Sequence, residues 1–273
     1  PEEIYRLYVG GGLLGTYLLL RDTKPGIDPL GSDNLLIFVS SVIAGLEGVG
    51  LARFSVVTKS PLSGGIGETR CEGPWGGTLK ASGYDALVVR GQSARPVYLL
   101  IDGGRASLQP AEGLWGRDTA FVTNDLEKRH GSQVHVAAIG PAGESRVRYA
   151  SIVTDRHYQA MRLGVGAVMG AKRLKAVALV GGSLPPAADP KALAGITALN
   201  ASRLEGNDLT RWQKKPPGFA AWVDTITDPG YLSVENFRSG TPPDRAAFAS
   251  QRFLEFYRGE ASCPGCPNDC IKQ

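Results

Sequence analysis

Leu51-Ala52-Arg53-Phe54-Ser55-Val56-Val57-Thr58-Lys59-Ser60-Pro61-Leu62-Ser63-Gly64-Gly65 is a short β-branched and aromatic run that ends in a Ser-Pro pair and two glycines. That wording predicts a strand over 54–58 entering a tight turn. Arg53 then stands at the strand's start with turn amides nearby, an arrangement suited to a phosphate group. Taken alone, an ordinary strand and turn explains the segment better. Working outward, apolar runs at 35–39, 86–89, 97–101, 134–139 and 176–180 read as further short strands. Apolar spacing predicts helices over 4–20, interrupted by Gly10-Gly11-Gly12, over 118–130 and over 159–169. From Pro185 the composition changes to a linker, and Asp189-Pro190 opens a helix through Ala192, Leu193, Ile196 and Leu199. The expected architecture is α+β: a strand-rich domain over 1–185, then the start of a helical domain over 186–273.

Composition narrows the function. With 273 residues and 42% hydrophobic content the chain can bury a sizeable core. No uninterrupted apolar stretch of about 18 residues is present, so no membrane span is expected, and Pro1-Glu2-Glu3-Ile4 has neither the basic start nor the apolar run of a secretory signal. Cytoplasmic residence with reduced thiols fits. The net charge of +4 is small and the basic residues are dispersed, which argues against nucleic acid as the main partner. Glycine is abundant, at 36 residues, in clusters rather than linkers. Such clusters between strands let a cofactor lie against main chain.

Cys263, Cys266 and Cys270 form a C-x2-C-x3-C run stiffened by Pro264 and Pro267. Three of the four cysteines in one short run make a disulfide framework improbable. An iron–sulfur cluster takes four cysteines and zinc takes four mixed ligands, so the motif is incomplete as written. The fourth ligand lies beyond residue 273, or is the distant Cys71, or is not a cysteine. His130, His135 and His157, the only histidines, all lie far upstream, so a local zinc ribbon cannot close and iron–sulfur is favoured. Two other segments crowd polar groups between glycines. In Gly67-Glu68-Thr69-Arg70-Cys71-Glu72-Gly73 the reading is a loop, with Cys71 more often a small buried hydrophobe than a reactive thiol. In Asp155-Arg156-His157 through Arg162-Leu163-Gly164-Val165-Gly166 no strand leads straight into the Gly-x-Gly, as a dinucleotide fingerprint requires. His157 reads equally as a helix-start residue or a proton carrier.

Together these segments resemble the aldehyde ferredoxin oxidoreductase family of tungsten enzymes. The likeness rests on Arg53 to Pro61, Leu79-Lys80-Ala81-Ser82-Gly83-Tyr84-Asp85-Ala86, Ala138-Ile139-Gly140-Pro141-Ala142-Gly143-Glu144, Asp155-Arg156-His157, the Gly164 to Lys172 segment, Asn236-Phe237 and the thiol run. The resemblance implies a tungsten or molybdenum ion held by two pterin dithiolenes against the first domain, with Mg2+ linking their phosphates. It places Arg53 between pterin and cluster. It makes Arg70, Cys71, Glu72 and Gly73 one pterin-contacting loop and Arg162, Leu163 and Gly164 another, with main-chain carbonyls of both as magnesium ligands. Arg70 is a departure, since many members carry Asn there. Cys263, Cys266 and Cys270 match three ligands of a [4Fe–4S] cluster, the fourth lying far downstream.

The implied activity is oxidation of an aldehyde to a carboxylic acid, with electrons leaving through the cluster to ferredoxin or an iron–sulfur subunit of an oligomeric enzyme. The acid–base residues of that step fall in later domains, so no catalytic residue is named. Two rival readings are the tungsten subunit of a class II benzoyl-CoA reductase and a cluster-only electron-transfer module. The resemblance also makes the chain look clipped at both ends, so that this piece alone is expected to be inactive.

Overall fold

The computed structural model describes residues 2–273. The chain divides into two compact units: Gly50–Ala188 with the chain up to Leu46, and Asp189–Gln273 with Glu47–Val49. The class is α+β, as expected.

The first unit begins with two helices, α1 (Glu2–Tyr8) and α2 (Gly11–Asp22). The break between them falls at Val9 and Gly10, which take φ of 47° and 77°, so Gly11 and Gly12 lie inside α2 rather than interrupting it. Strands β1 (Leu36–Ser40), β2 (Arg53–Lys59), β3 (Ile66–Glu72) and β4 (Ala86–Val89) form an antiparallel sheet in the order β3-β2-β1-β4. Between β3 and β4 runs α3 (Trp75–Ala81).

The second sheet takes β5 (Val97–Asp102), β6 (Arg105–Pro110), β7 (Val134–Ala138), β8 (Ile152–Thr154), β9 (Tyr158–Ala160) and β10 (Leu174–Val180). Its order is β6-β5-β10-β7-β8-β9, and β5 with β10 is its parallel pair. Three helices accompany it: α4 (Thr119–His130), α5 (Pro141–Glu144) and α6 (Val165–Ala171). Residues 159–169 are therefore not one helix: β9 comes first, a turn follows, and α6 starts only at Val165.

Side-chain alternation along each strand sorts the core into layers. Leu36, Phe38, Phe54 and Val56 from one sheet meet Val177 and Leu179 from the other, with Trp75 and Leu79 of α3 and Val168 of α6 in the same cluster. Trp75 is the keystone: it lies 5.3 Å from the Phe38 ring and 4.7 Å from the Phe54 ring, and its indole N–H donates to the Val177 carbonyl at 3.3 Å. The opposite strand positions, Ile37, Val39 and Val57, pack under Leu14 and Leu19 of α2. On the far side of the second sheet, Val122 and Leu126 of α4 cover Val134, Val136 and Ala178.

The second unit holds α7 (Pro190–Leu204), α8 (Asp208–Lys214), α9 (Trp222–Thr227) and α10 (Ser250–Phe253). Asp189 caps α7 by accepting from the Ala192 amide at 2.9 Å, with Pro190 at the first helical position, as the sequence predicts. The unit ends in a two-residue ribbon, β11 (Glu260–Ala261) with β12 (Ile271–Lys272).

Candidate functional site

The register of β2 with β3 assembles the first group of predicted residues. Arg53 pairs opposite Glu72, Ser55 opposite Arg70 and Phe54 opposite Cys71. Arg53 Nε lies 3.4 Å from Glu72 Oε1, and Arg70 Nε lies 3.1 Å from Glu68 Oε1, which also accepts from Ser55 Oγ at 3.0 Å. These are exposed or half-buried pairs of modest strength. Residues 70–72 are thus strand rather than the loop the sequence suggests, and the turn begins at Gly73, whose φ is 102°. A side chain at Gly73 would strike the Tyr158 ring, so β9 closes over the end of β3 only because this position is glycine.

Cys71 points the other way from Arg70 and Glu72. It is fully buried in the inter-sheet core, with its Sγ 3.5 Å from Thr154 Oγ1. That placement makes it a core residue whose only route to a ligand is through its backbone.

The second predicted segment lies against the first. The Arg162 amide donates to Thr69 Oγ1 at 3.3 Å, and the Leu163 carbonyl accepts from Ser60 Oγ at 2.8 Å. Leu163 and Gly164 both take left-handed backbone, with φ of 62° and 73°. A short strand, β9, does precede this turn, contrary to the sequence reading. It is antiparallel to β8, though, so the geometry is not that of a dinucleotide fingerprint. Asp155 and Arg156, both at positive φ, make the β8–β9 turn. Asp155 holds the turn by accepting from the Val136 amide at 2.9 Å and sharing a hydrogen bond with His135 Nδ1 at 3.0 Å, and Arg156 reaches Asn124 and Glu127 of α4. His157 lies in this turn and not at a helix start. Ser60, Glu68, Thr69 and Tyr158 position the site and were not singled out from sequence. Only Ser60, in the Ser-Pro turn, carried a local signal.

Arg162 is exposed and has no carboxylate partner among the described residues. An exposed guanidinium beside a left-handed turn fits an anionic group such as a pterin phosphate. Arg53 and Arg70 fit differently, because each must exchange or share its glutamate to meet an anion.

In the second unit Cys263, Cys266 and Cys270 are half-buried cysteines on one loop closed at its base by β11 and β12. The Cys266 amide donates to the Cys263 carbonyl at 2.9 Å, and Ser262 Oγ both donates to Asp269 Oδ1 at 2.5 Å and accepts from the Asp269 amide at 3.0 Å. Among the described residues, no three His, Cys, Asp or Glu side chains are gathered on one metal-ion position. A mononuclear zinc site requires such convergence. In a cubane cluster each cysteine binds a different iron, and three thiols carried on one pinned loop fit that group.

Comparison with known proteins gives the family. Residues 1–181 match the model of the aldehyde ferredoxin oxidoreductase N-terminal domain, and the chain belongs to the aldehyde ferredoxin oxidoreductase family of oxidoreductases. It is 35% identical to the tungsten-containing aldehyde ferredoxin oxidoreductase of Pyrococcus furiosus (strain ATCC 43587 / DSM 3638 / JCM 8422 / Vc1), over 98% of this chain and 45% of that protein. The counterpart from Thermococcus kodakarensis (strain ATCC BAA-918 / JCM 12380 / KOD1) is 37% identical over the same shares. The chain therefore spans about half the length of these curated relatives. Among solved structures, the active-site complex BamBC of benzoyl coenzyme A reductase with 1,5-dienoyl-CoA superposes with a TM-score of 0.84 at 27% identity, over 99% of this chain and 43% of that one.

Proposed function

We propose that this chain is the cofactor-binding part of a tungsten or molybdenum oxidoreductase that converts aldehydes to carboxylic acids. Water supplies the added oxygen, and two electrons and two protons are released. A bis-pterin metal centre with an accompanying Mg2+ would supply the two-electron chemistry when bound. The chain's own residues bind and orient. Arg162 and the Leu163–Gly164 turn hold anionic oxygen beside β3, and Arg53 and Arg70 present cationic groups balanced by Glu72 and Glu68. Main-chain carbonyls of residues 70–73 and 162–164 are the proposed magnesium donors, although the Leu163 carbonyl already accepts from Ser60. Cys263, Cys266 and Cys270 would hold a [4Fe–4S] cluster, which would supply one-electron chemistry toward a ferredoxin or an iron–sulfur subunit.

The observation that carries this reading is the Arg162–Gly164 segment pinned to Ser60 and to Thr69 of β3, with the Arg162 side chain in no ion pair among the described residues, in a chain more than one-third identical to two tungsten-containing aldehyde ferredoxin oxidoreductases. No helix of the described residues is long and apolar enough to cross a membrane, and we place the enzyme in the cytoplasm as an oligomer. The test is elemental and pterin analysis of the full-length protein, followed by assay with simple aldehydes and a viologen dye. Tungsten or molybdenum with pterin, iron and aldehyde-dependent dye reduction is the expected result.

The similarity to BamBC supports a second reading, reduction of an aromatic acyl-CoA on the same cofactor framework. Metal and pterin without aldehyde activity, but with turnover of benzoyl-CoA or its dienoyl product, would select it. Iron without tungsten, molybdenum or pterin would leave only an electron-transfer module.

A further inference from the structure

The arginines around the Leu163–Gly164 turn differ in how their charge is balanced. Arg53 and Arg70 each face a glutamate. Arg162 does not, and neither does Arg148, which is exposed and has no ion pair among the described residues. Arg148 is far from Arg162 in sequence but its main chain abuts the same turn. A side chain at Gly164 would overlap the Arg148 carbonyl oxygen, and one at Gly166 would overlap the Ser151 carbonyl. The Gly166 amide also donates to the Ala150 carbonyl at 2.9 Å. Backbone contacts therefore hold the Arg148 main chain against the turn that follows Arg162. Its neighbour Glu144, the nearest carboxylate in sequence, is committed elsewhere: it is buried with Lys175 and accepts twice from the Gly116 amide, at 3.0 and 2.8 Å.

Two exposed arginines with no ion pair among the described residues, whose main chains meet at one left-handed turn, suit a doubly charged oxyanion. Arginine binds phosphate through paired N–H donors, and two such groups satisfy more than one oxygen. We propose that Arg148 completes a two-arginine phosphate-binding site with Arg162, and that its ligand is the phosphate end of the pterin cofactor. This deepens the reading above and rests on it. The shared chemistry is a phosphate group, so free phosphate or pyrophosphate is the competing source.

The test uses the full-length holoenzyme carrying Arg148→Gln, Arg148→Lys, Arg162→Gln or Arg105→Gln. Arg105 begins β6, at the opposite edge of the second sheet from β9, and controls for loss of one positive charge. Tungsten and pterin remaining per chain after prolonged dialysis are measured, together with thermal melting of cofactor-free protein. Losing one charge-assisted hydrogen-bond pair should speed cofactor loss about tenfold in Arg148→Gln. Arg148→Lys should be intermediate and Arg105→Gln unchanged. If Arg148→Gln fails to fold, the lysine variant carries the comparison, and wild-type retention in it overturns the proposal. If Arg162→Gln sheds cofactor while Arg148→Gln retains it, the Arg148 assignment is wrong and the functional reading stands. If the wild type holds neither tungsten, molybdenum nor pterin, the functional reading itself fails. Titration of cofactor-free protein with inorganic pyrophosphate separates the sources: binding weakened by Arg148→Gln, with cofactor retention unaltered in the holoenzyme, would mark a free-anion site and overturn the cofactor assignment.

Discussion

Two buried lysines set the first unit's response to pH and to mutation. Lys172 is 3% exposed, and its Nζ donates to the carbonyls of Asn34 at 2.6 Å and Gly91 at 2.9 Å. Burial pushes its pKa down to about 8 from 10.5, with Asp33 pulling weakly the other way. Below pH 8 both folded and unfolded chains hold the proton, and the cost of burying the charge is fully present. Between about 8 and 10.5 the unfolded chain holds more protons, so stability rises with pH across that window. Burial lowers Lys175 in the same direction. The urea midpoint should therefore be higher at about pH 9.5 than at about pH 7.5, and Lys172→Met should flatten much of that rise. An unchanged slope in the variant would remove Lys172 from the account. Lys175 and Glu144 form a nearly dry pair, with side chains 0% and 7% exposed. Glu144→Ala leaves a buried ammonium with only the Arg117 carbonyl at 2.7 Å, at a cost of about 3–5 kcal/mol. The double variant Lys175→Met with Glu144→Leu should recover most of that loss in urea denaturation. A double variant as unstable as the single one would show that shape rather than charge governs the site.

The turn between β9 and α6 is the element on which the candidate site depends. Gly164 combines φ of 73° with contact against the Arg148 carbonyl, whereas Gly103, between β5 and β6, has φ of 53° and open space around it. Alanine at Gly103 should cost only the left-handed penalty of about 1–2 kcal/mol. Alanine at Gly164 adds a backbone collision and should cost at least about 3 kcal/mol, read as the difference between the two melting curves. Equal losses would mean that the Arg148 segment yields freely. The same elements explain what was legible beforehand. Strands β1, β2, β7 and β10 announced themselves because both faces are buried, giving near-continuous apolar runs. Strand β3 did not, because it is an edge strand whose Glu68, Arg70 and Glu72 leave the core and so resemble a polar loop. Strand β6 is almost wholly exposed, and β8 and β9 are three residues each. Helix α3 opens Trp-Gly-Gly, a poor helix former that packing of Trp75 between the sheets overrides. At the site, Arg53, Gly73 and the Arg162–Gly164 segment were readable as motifs. Glu72 was also named, in the Arg70–Gly73 run, but its pairing with Arg53, and those of Glu68 with Arg70, Ser60 with Leu163 and Tyr158 with Gly73, were not readable, because cross-strand register and a distant turn create them.

At the scale of the whole molecule the two units differ in how completely each buries its own apolar residues. The first closes three clusters within itself, two of them centred on strands backed by α2 and α4 and one between the sheets. In the second, α7 has no buried residue, and Tyr231, Phe237 and Phe256 are 78%, 83% and 71% exposed. The segment joining them, residues 181–190, is exposed but for Ala187, and carries no helix or strand before Pro190. Chain of this kind admits a protease without unfolding either neighbour. It holds no lysine or arginine, so trypsin should spare it while elastase, which favours small residues, should cut near Ala187 and Ala188. The amino-terminal product should then persist, melt in one cooperative transition and keep the near-ultraviolet signal of the buried Trp75. The carboxy-terminal product, with its aromatic side chains open to solvent, should be digested further. Early cleavage within residues 50–180, or an amino-terminal product without a sigmoidal melt, would show that the first unit depends on contacts outside itself.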